Sequence, residues 1–368
     1  MTAPVLDDLD LDLVAALQRS PRAPLNVLGE ALDTSPSTVG RRLTRLVDEG
    51  IVRVVGQVDW SLLSDTHPHH VWINTRPGRA RAVAVALTQV PGAQFVATTA
   101  GRADVHLTVH SPSRSETAHL LTGTIAGIEG VLSTHSELVL RAVTKADQWR
   151  LDRLGPEQRS LLVADSDAAG DVHPSANIAS LTPAELVVTR LLHRDGRIPA
   201  SDVGRETGMS RSTAHRVVQS LLSRGIVQPR VEIEPGLVGF PLEVAVQLAV
   251  KPGDTTAVAQ WCAEQPSARY VSVVAGTWSV VHQGVFRNED DLAQFLERDL
   301  AELPGITGWG VSVVLEVLQR YFLRRVDGRV IGAPISSIPE PATPGRVVRE
   351  SVAGSAHRLA GCPPPNTP

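Results

Sequence analysis

Residues 35–52 read SPSTVGRRLTRLVDEGIV, and residues 210–227 read SRSTAHRVVQSLLSRGIV. The two stretches share a first serine, a Ser-Thr pair, one arginine and a closing Gly-Ile-Val, at an offset of 175 residues (210 minus 35). The same offset aligns residues 6–149 with residues 181–324 without a gap. It also aligns Arg22 with Arg197, residues for which we expect no shared packing role. Each copy is far longer than a solenoid repeat, so we expect a tandem duplication of complete modules.

Each stretch has the pattern of an amphipathic helix with a capped start. Its first residue, Ser35 or Ser210, can accept a hydrogen bond from a free backbone N–H of the first turn. Apolar residues then follow at the i, i+4, i+7 and i+8 spacing that buries one helix face. They are Val39, Leu43, Leu46 and Val47 in the first copy and Ala214, Val218, Leu221 and Leu222 in the second. Gly50 and Gly225 are expected to end the helices, because glycine readily adopts the left-handed conformation found there.

Two shorter helices precede this helix in each copy, and a strand follows it. Leu9, Leu13 and Leu17 form an apolar stripe for a first helix. In the second copy, Thr182, Pro183 and Glu185 supply an N-cap, a first-turn proline and an early acid. Three helices and a strand predict a winged-helix-like helix-turn-helix domain, whose third helix could enter a DNA major groove.

The polar face of the third helix supplies the candidate DNA-binding residues. Arginine suits guanine O6 and N7, and serine, threonine and helix N-termini hold phosphates. The candidates are Ser35, Ser37, Thr38, Arg41, Arg42, Arg45, Ser210, Arg211, Ser212, Thr213, His215 and Arg216. The alternative is a three-helix packing domain whose polar face is simply solvated.

The rest of each copy alternates strand and helix patterns in the order βαββαβ, which is the split ferredoxin-like arrangement. The first copy has strand patterns near 69–75, 93–99, 103–110 and 131–141, with helices near 79–89 and 114–126. The second has strands near 242–250, 270–274, 279–286 and 311–318, with helices near 255–264 and 289–302. The predicted fold class is therefore α+β, with two repeats of a helix-turn-helix domain followed by a ferredoxin-like domain.

These patterns divide the chain into six segments. We expect helix-turn-helix domains at 1–60 and 180–235, ferredoxin-like domains at 61–150 and 236–330, a linker at 151–179 and a disordered Pro-rich tail at 331–368.

Composition narrows the functional classes. The net charge of −4 gives no overall attraction to nucleic acid, but arginines cluster in both third-helix regions. Only Cys262 and Cys362 are present, so neither a disulfide framework nor a thiolate metal site is expected. His67, His69 and His70 have no acid or thiol at ligand spacing, and we expect no metal. We find no catalytic arrangement, cofactor motif, signal peptide or membrane span, and expect a soluble cytoplasmic protein.

These residues resemble the Lrp/AsnC transcriptional regulators. The resemblance rests on the ordered set that begins at Leu6-Asp7, passes through Arg22 and Ser35 to Arg42, and ends at Gly50-Ile51-Val52. The βαββαβ segment, with Gly101-Arg102-Ala103-Asp104 between its second and third strands, resembles the family's RAM domain. The resemblance implies DNA binding by the first domain, and effector binding with oligomerisation by the second.

The resemblance further implies an effector site at the RAM loop. Its candidate residues are Gly101, Arg102 and Asp104, with Gly276 in the second copy, and the ligand would be an amino acid or a related small molecule. The second copy departs from the family because Ser279 replaces the acidic residue of this loop, which makes its site doubtful. The alternative is that Gly101 only makes a tight turn and Asp104 caps it.

The functional prediction is a sequence-specific regulator that binds double-stranded DNA through two fused units, and that forms a homo-oligomer of pseudo-dimeric chains. Because the two third helices differ in sequence, the expected operator is asymmetric or an imperfect palindrome. The competing prediction is an enzyme. Some proteins that resemble this family are sirohaem decarboxylases that do not bind DNA, although their characteristic motif is not found here.

Overall fold

The computed structural model describes residues 6–64, 66–145, 148–162, 178–335 and 338. The predicted linker is therefore described only in part, and the predicted tail mostly lies outside the described residues.

The first half begins with three helices and a strand, as predicted. Its elements are α1 (Asp8–Arg19), α2 (Leu25–Ala31), α3 (Pro36–Asp48), β1 (Arg53–Gln57), α4 (Trp60–Leu63), β2 (His69–Thr75), α5 (Ala80–Leu87), β3 (Ala93–Gly101), β4 (Val105–Val109), α6 (Arg114–His119) and β5 (Val131–Thr144). A π-helical turn, Leu120–Thr124, extends α6. A further helix that the sequence did not predict is α7 (Pro156–Leu161).

The second half repeats this order. Its elements are α8 (Pro183–Arg194), α9 (Ala200–Thr207), α10 (Arg211–Ser223), β6 (Gln228–Glu232), β7 (Leu242–Val250), α11 (Thr255–Glu264), β8 (Ala268–Ala275), β9 (Val280–Phe286), α12 (Glu289–Gln294), β10 (Ile306–Arg320), β11 (Leu323–Val326) and β12 (Arg329–Ile331). Helix α8 starts as predicted, because Thr182 and Glu185 form a reciprocal capping box around Pro183. The hairpin β11–β12 was not predicted.

Two helical cores support the third helices. In the first, Val39 and Leu46 of α3 are buried against α1 and α2, as the apolar spacing predicted. The segment expected to be a linker adds Leu154 and Leu162 to this core. In the second, Ala214, Val218 and Leu221 of α10 are buried in the same way.

The ferredoxin-like domains join into one closed structure. Strands β5, β2, β4 and β3 form one four-stranded antiparallel sheet, and β10, β7, β9 and β8 form the other. The long strands β5 and β10 then continue onto β8 and β3 of the opposite sheet, which closes a ring of eight strands. The two junctions are equivalent in the repeat, since Leu138 lies opposite Ala275 and Val313 lies opposite Ala100. The two halves are thus related by a pseudo-two-fold axis, and the predicted fold class is confirmed.

The interior between the sheets is partly polar. His70 is fully buried there, and its imidazole lies 3.2 Å from the hydroxyls of both Thr108 and Ser272, which belong to different halves. Burial lowers the pKa of His70 to about 3, so its ring is neutral at pH 7. The Nε1 of Trp72 donates a 3.0 Å hydrogen bond to the buried Glu137, whose pKa is raised by burial. The contacts of His70 therefore join the two halves, because a buried polar group needs a partner.

Candidate nucleic-acid interface

The first third helix, α3, presents a capped and exposed N-terminus. Ser35 is its N-cap, and the Ser35 hydroxyl accepts a 3.1 Å hydrogen bond from the backbone N–H of Thr38. Ser35 and Ser37 are exposed, and Thr38 is half-buried. Arg41 is exposed one turn further along. These four residues lie where the sequence placed them, on a surface that could contact phosphates or base edges.

Two predicted DNA-binding residues of this helix have partners within the protein. Arg42 lies 2.8 Å from a carboxylate oxygen of Asp10 and 2.7 Å from one of Asp7, and Arg45 is also ion-paired with Asp10. Asp10 is only 1 % exposed. The hydrogen bond from Arg42 lowers the pKa of Asp7. Arg42 and Arg45 therefore join α3 to the start of α1, which is a structural role that helical periodicity alone did not reveal.

The second third helix, α10, uses a different internal ion pair and exposes more of its polar face. Glu185, the repeat equivalent of Asp10, pairs with Arg224, near the end of the helix. Along α10 and its cap, Ser210, Arg211, Ser212, His215 and Arg216 are exposed, and Thr213 is half-buried. The hydroxyl of Ser210 accepts a hydrogen bond from the N–H of Thr213, as in the first copy.

Three arginines of the third helices have no acid partner among the described residues. Within the part of the chain that the structure describes, Arg41, Arg211 and Arg216 have no carboxylate at ion-pair distance. A guanidinium on an exposed helix face without an internal acid can bind an anionic partner without breaking an existing pair.

A two-stranded sheet joins the two helix-turn-helix units. Strand β1 pairs antiparallel with β6, and the pairing is centred on Val55 opposite Arg230. Because 55 plus 175 is 230, each of these residues lies opposite its own repeat equivalent. The pseudo-two-fold axis therefore passes through this pair and relates α3 to α10. Two recognition helices related by a two-fold axis are the arrangement with which helix-turn-helix dimers bind two half-sites.

Arg22 and Arg197 hold the two units together by reciprocal contacts. Arg22 donates a hydrogen bond to the backbone carbonyl of Gly196, and Arg197 donates to those of Pro21 at 2.6 Å and Ala23 at 2.9 Å. Our expectation that this pair has no shared packing role was therefore wrong. The signal was present in the sequence as the identity of the two residues across the repeat, but one sequence does not show that each reaches the other copy.

The candidate effector residue Asp104 has an internal partner. Its carboxylate accepts hydrogen bonds from the backbone N–H of Thr75 at 2.7 Å and from the Thr75 hydroxyl at 3.0 Å. In the second half the hydroxyl of Ser279 accepts from the backbone N–H of Val250, the equivalent of Thr75, at 3.2 Å. Ser279 thus replaces Asp104 in the same contact, and this geometry agrees with the turn-capping alternative.

The other candidate effector residues lie where the two halves meet. Gly101 has φ +128°, and a Cβ there would lie 2.5 Å from the carbonyl oxygen of Val311. At Gly276, a Cβ would meet the side chain of Glu137. The guanidinium of Arg102 lies over the indole of Trp278, 5.0 Å from its centroid. Both glycines therefore permit close approach of each loop to the opposite half, and the loops contact each other across the axis.

The remaining sequence expectations concern metal and membrane. Among the described residues, no group of three or more His, Cys, Asp or Glu side chains could hold a metal ion. The Nδ1 of His67 forms a hydrogen bond with the backbone carbonyl of Val139, and His70 lies inside the ring of strands. Within the same residues, each helix is too short or too polar to cross a bilayer.

Comparison with known domain families agrees with this architecture. Residues 6–47 match the AsnC-type helix-turn-helix domain, and residues 70–149 and 243–322 each match the Lrp/AsnC ligand binding domain. The chain belongs to the Lrp/AsnC family. Its second helix-turn-helix unit departs further from the family pattern, since residues 187–230 match the IclR helix-turn-helix domain.

Similar proteins include regulators that match more than a third of this Lrp/AsnC chain and a solved structure that aligns with most of it. The HTH-type transcriptional regulator FL11 of Pyrococcus horikoshii is 25% identical over 130 residues, which is 35% of this chain and 85% of FL11. The regulator LysM of Sulfurisphaera tokodaii is 26% identical over 137 residues, which is 37% of this chain and 96% of LysM. The crystal structure of the siroheme decarboxylase NirDL aligns with 85% of this chain and 93% of its own at 12% identity and a TM-score of 0.56. NirDL thus shares the fold over 85% of the duplicated chain.

Proposed function

We propose that this chain is a sequence-specific DNA-binding transcriptional regulator whose two fused units read one duplex together. The observation that supports this most directly is the pairing of β1 with β6 about a pseudo-two-fold axis. It relates two exposed third helices, each with an arginine, Arg41 or Arg216, that has no acid partner among the described side chains. The similarity to regulators such as FL11 and LysM is in accord with this role.

The two units are expected to read different half-sites. The polar faces of the two third helices differ at equivalent positions. The first has Ser37, Gly40, Arg41 and Thr44, and the second has Ser212, His215, Arg216 and Gln219. Different side chains at base-contacting positions select different bases, so the operator should be asymmetric or an imperfect palindrome. A small-molecule effector, an amino acid or a relative of one, is expected to act at the RAM domains. Further association of these domains would give an even-numbered assembly.

Binding to a fragment from upstream of the protein's own gene tests the proposal. Fluorescence anisotropy should show binding that weakens steeply as salt rises, because phosphate contacts release counterions. Arg41→Ala and Arg216→Ala should each weaken binding, and footprints of the two variants should lose protection in different half-sites. Arg205→Ala, at an arginine exposed on α9, is the matched control and should bind as the unaltered protein does. A footprint with strict two-fold symmetry would contradict the assignment of different half-sites.

Sirohaem decarboxylation is the second candidate, because NirDL has the same duplicated fold. The exposed serine and arginine residues of both third helices favour the regulator. Incubation with sirohaem under reducing conditions, followed by mass spectrometry of the tetrapyrrole, separates the two candidates. We expect no loss of carbon dioxide from the substrate. Decarboxylation without DNA binding would replace the regulator proposal.

A further inference from the structure

A pocket opens between the strands that join the DNA-binding units and one end of the eight-stranded ring. Its cavity volume is about 150 Å³. The lining includes Phe95 of β3 and Tyr270 of β8, which come from different halves. Trp60 and Phe322 also line the pocket. A cavity of roughly this size accommodates a benzene-sized ring, and aromatic walls favour an aromatic ligand through offset and edge-to-face contacts.

The pocket wall also contains buried hydrogen-bond donors without an acceptor. In the described part of the chain, the Nε of Arg230 and the hydroxyl of Ser111 have no hydrogen-bond partner. Both residues are nevertheless buried, since Arg230 is only 6% exposed and Ser111 only 4%. A buried donor left unpaired is costly, by about 1 to 3 kcal/mol. Both donors would be satisfied by a ligand that brings an acceptor such as a carboxylate.

The cations of the wall are paired with acids. Lys145 pairs with Asp59 at 2.8 Å, Arg230 pairs with Glu232, and Arg320 pairs with Glu243 and Glu234. The free Nε of Arg230 still belongs to a guanidinium, and a carboxylate forms a stronger hydrogen bond with such a donor than a neutral acceptor does. His110 also lines the pocket, and burial lowers its pKa to about 4, so it adds no charge at neutral pH.

The two halves surround the pocket with different residues. Five residues that line the pocket, Gln57, Asp59, Pro68, Gln94 and Lys145, correspond through the repeat to Glu232, Glu234, Glu243, Arg269 and Arg320. These five counterparts form a cluster of alternating charge, in which Arg320 lies 2.7 Å from Glu243 and 3.2 Å from Glu234. The first half has one ion pair, Lys145 with Asp59, among these five residues, whereas all five of the second half are charged. Phe95 and Tyr270 are equivalent through the repeat and line the same cavity, so the pocket lies across the pseudo-two-fold axis and offers one site at this place in the chain.

We propose that this pocket binds a small single-ring aromatic acid, with one molecule per chain. The site is separate from the RAM loop at Gly101, which lies at the end of β3 opposite to Phe95. The wall includes Gln57 from β1 and Arg230 from β6, the strands that connect the two DNA-binding units. Val58, which follows β1, donates its backbone N–H to the hydroxyl of Tyr321, another lining residue, at 3.0 Å. A bound acid would therefore contact the joint between the units and alter how the third helices are presented to DNA.

Titration calorimetry of the full chain tests the binding directly. Benzoate should bind with a stoichiometry of one per chain. Benzamide, which has the same ring and an acceptor but no charge, should bind at least tenfold more weakly, and benzylamine should bind more weakly still. No heat with millimolar benzoate, a stoichiometry of two, or tighter binding of benzylamine would each overturn the inference.

Two substitutions locate the site. Ala142→Leu adds volume to the pocket wall and should weaken benzoate binding at least tenfold, whereas Ala118→Leu makes the same change on an exposed helix face and should have no effect. Ser111→Ala removes one donor and keeps the backbone carbonyl that Ser64 and Thr66 contact, so it should fold normally and weaken binding severalfold. Unchanged affinity in both Ala142→Leu and Ser111→Ala would show that benzoate binds elsewhere.

The proposed effect of the bound acid on DNA binding rests on the proposed function. Fluorescence anisotropy with the DNA fragment distinguishes failure of this effect from failure of the proposed function. Saturating benzoate should change the affinity for the upstream fragment at least threefold in the unaltered protein and leave it unchanged in Ala142→Leu. Benzoate binding with no DNA binding under any condition would contradict the proposed function and leave the pocket assignment intact. DNA binding that benzoate does not change would overturn the regulatory part alone.

Discussion

The guanidinium of Arg42 lies 2.8 Å from the carboxylate of Asp10, which is almost completely buried where α1 meets α3. Because of this pair, two arginines that are adjacent in sequence have different surroundings. Arg41 faces solvent on the surface proposed for DNA, whereas Arg42 is held by acids of its own unit.

The two arginines should therefore respond differently to substitution. Arg42→Ala should lower the free energy of unfolding by about 1 to 3 kcal/mol, because Asp10 loses one of its charged partners. Arg41→Ala should change it by less than about 0.5 kcal/mol and should weaken DNA binding more. Urea unfolding and anisotropy measure the two effects. If Arg42→Ala unfolds like the unaltered protein but loses DNA affinity, Arg42 contacts DNA and the intramolecular pair is incidental.

Replacing Asp104 with the serine of the second RAM loop distinguishes a turn-capping role of this residue from an effector-binding role. Ser279 accepts the same backbone hydrogen bond that Asp104 accepts, so Asp104→Ser should retain stability to within about 1 kcal/mol, whereas Asp104→Ala should lose about 1 to 2 kcal/mol. If Asp104 also binds an amino-acid effector, Asp104→Ser should abolish the rise in melting temperature that the effector causes. Thermal shift against the amino acids measures both. A variant that keeps stability and the full effector response would limit Asp104 to capping.

Gly101 should tolerate a side chain less well than Gly78. Both have positive φ, but a Cβ at Gly101 would lie 2.5 Å from the carbonyl oxygen of Val311, whereas Gly78 has open space around it. Gly78→Ala should therefore show only the backbone strain, on the order of 1 kcal/mol, and Gly101→Ala should cost clearly more. Equal losses in urea unfolding would mean that the contact between β3 and β10 relaxes without penalty.

Acid should destabilise the protein partly through His70. Its folded-state pKa, about 3, lies below the ordinary histidine value of 6.5, so the unfolded chain binds the proton first as pH falls. The stability contributed by this site is therefore present above pH 6.5 and decreases between pH 6.5 and about 3, by up to about 1.4 kcal/mol per pH unit. His70→Gln should reduce this slope in urea unfolding. His119→Gln, at an exposed histidine, is the control, and an equal reduction there would remove His70 as the cause.

The local spacing of apolar residues predicted the helices and strands well, but it predicted the contacts between the two halves poorly. The bounds of β2 and β7, and the buried face of α3, follow from periodicity, because each residue's environment repeats with its own helix or strand. The pairing of β1 with β6 and the closure of the ring join segments far apart in the chain, which no local spacing specifies.

The candidate DNA surface shows the same division. Helical periodicity placed Arg41, Arg42 and Arg45 away from the apolar face, but could not show which acids lie across from them. Asp7 and Asp10 form a capping box that starts α1, and their approach to α3 depends on how the helices pack. Likewise, the presence of arginine at both position 22 and position 197 indicated the repeat. That each arginine contacts the backbone of the other copy depends on the fold of both copies.

Covalent fusion also removes a restriction that identical subunits face at their symmetry axis. In a symmetric pair of separate chains, the residue on the axis must lie opposite its own copy, so an arginine there would meet a like charge. In this chain Val55 lies opposite Arg230, and Arg230 is free to pair with Glu232 and with Gln57, the residue that stands at the position of Glu232 in the other half. Either half can therefore accumulate substitutions that self-association would forbid.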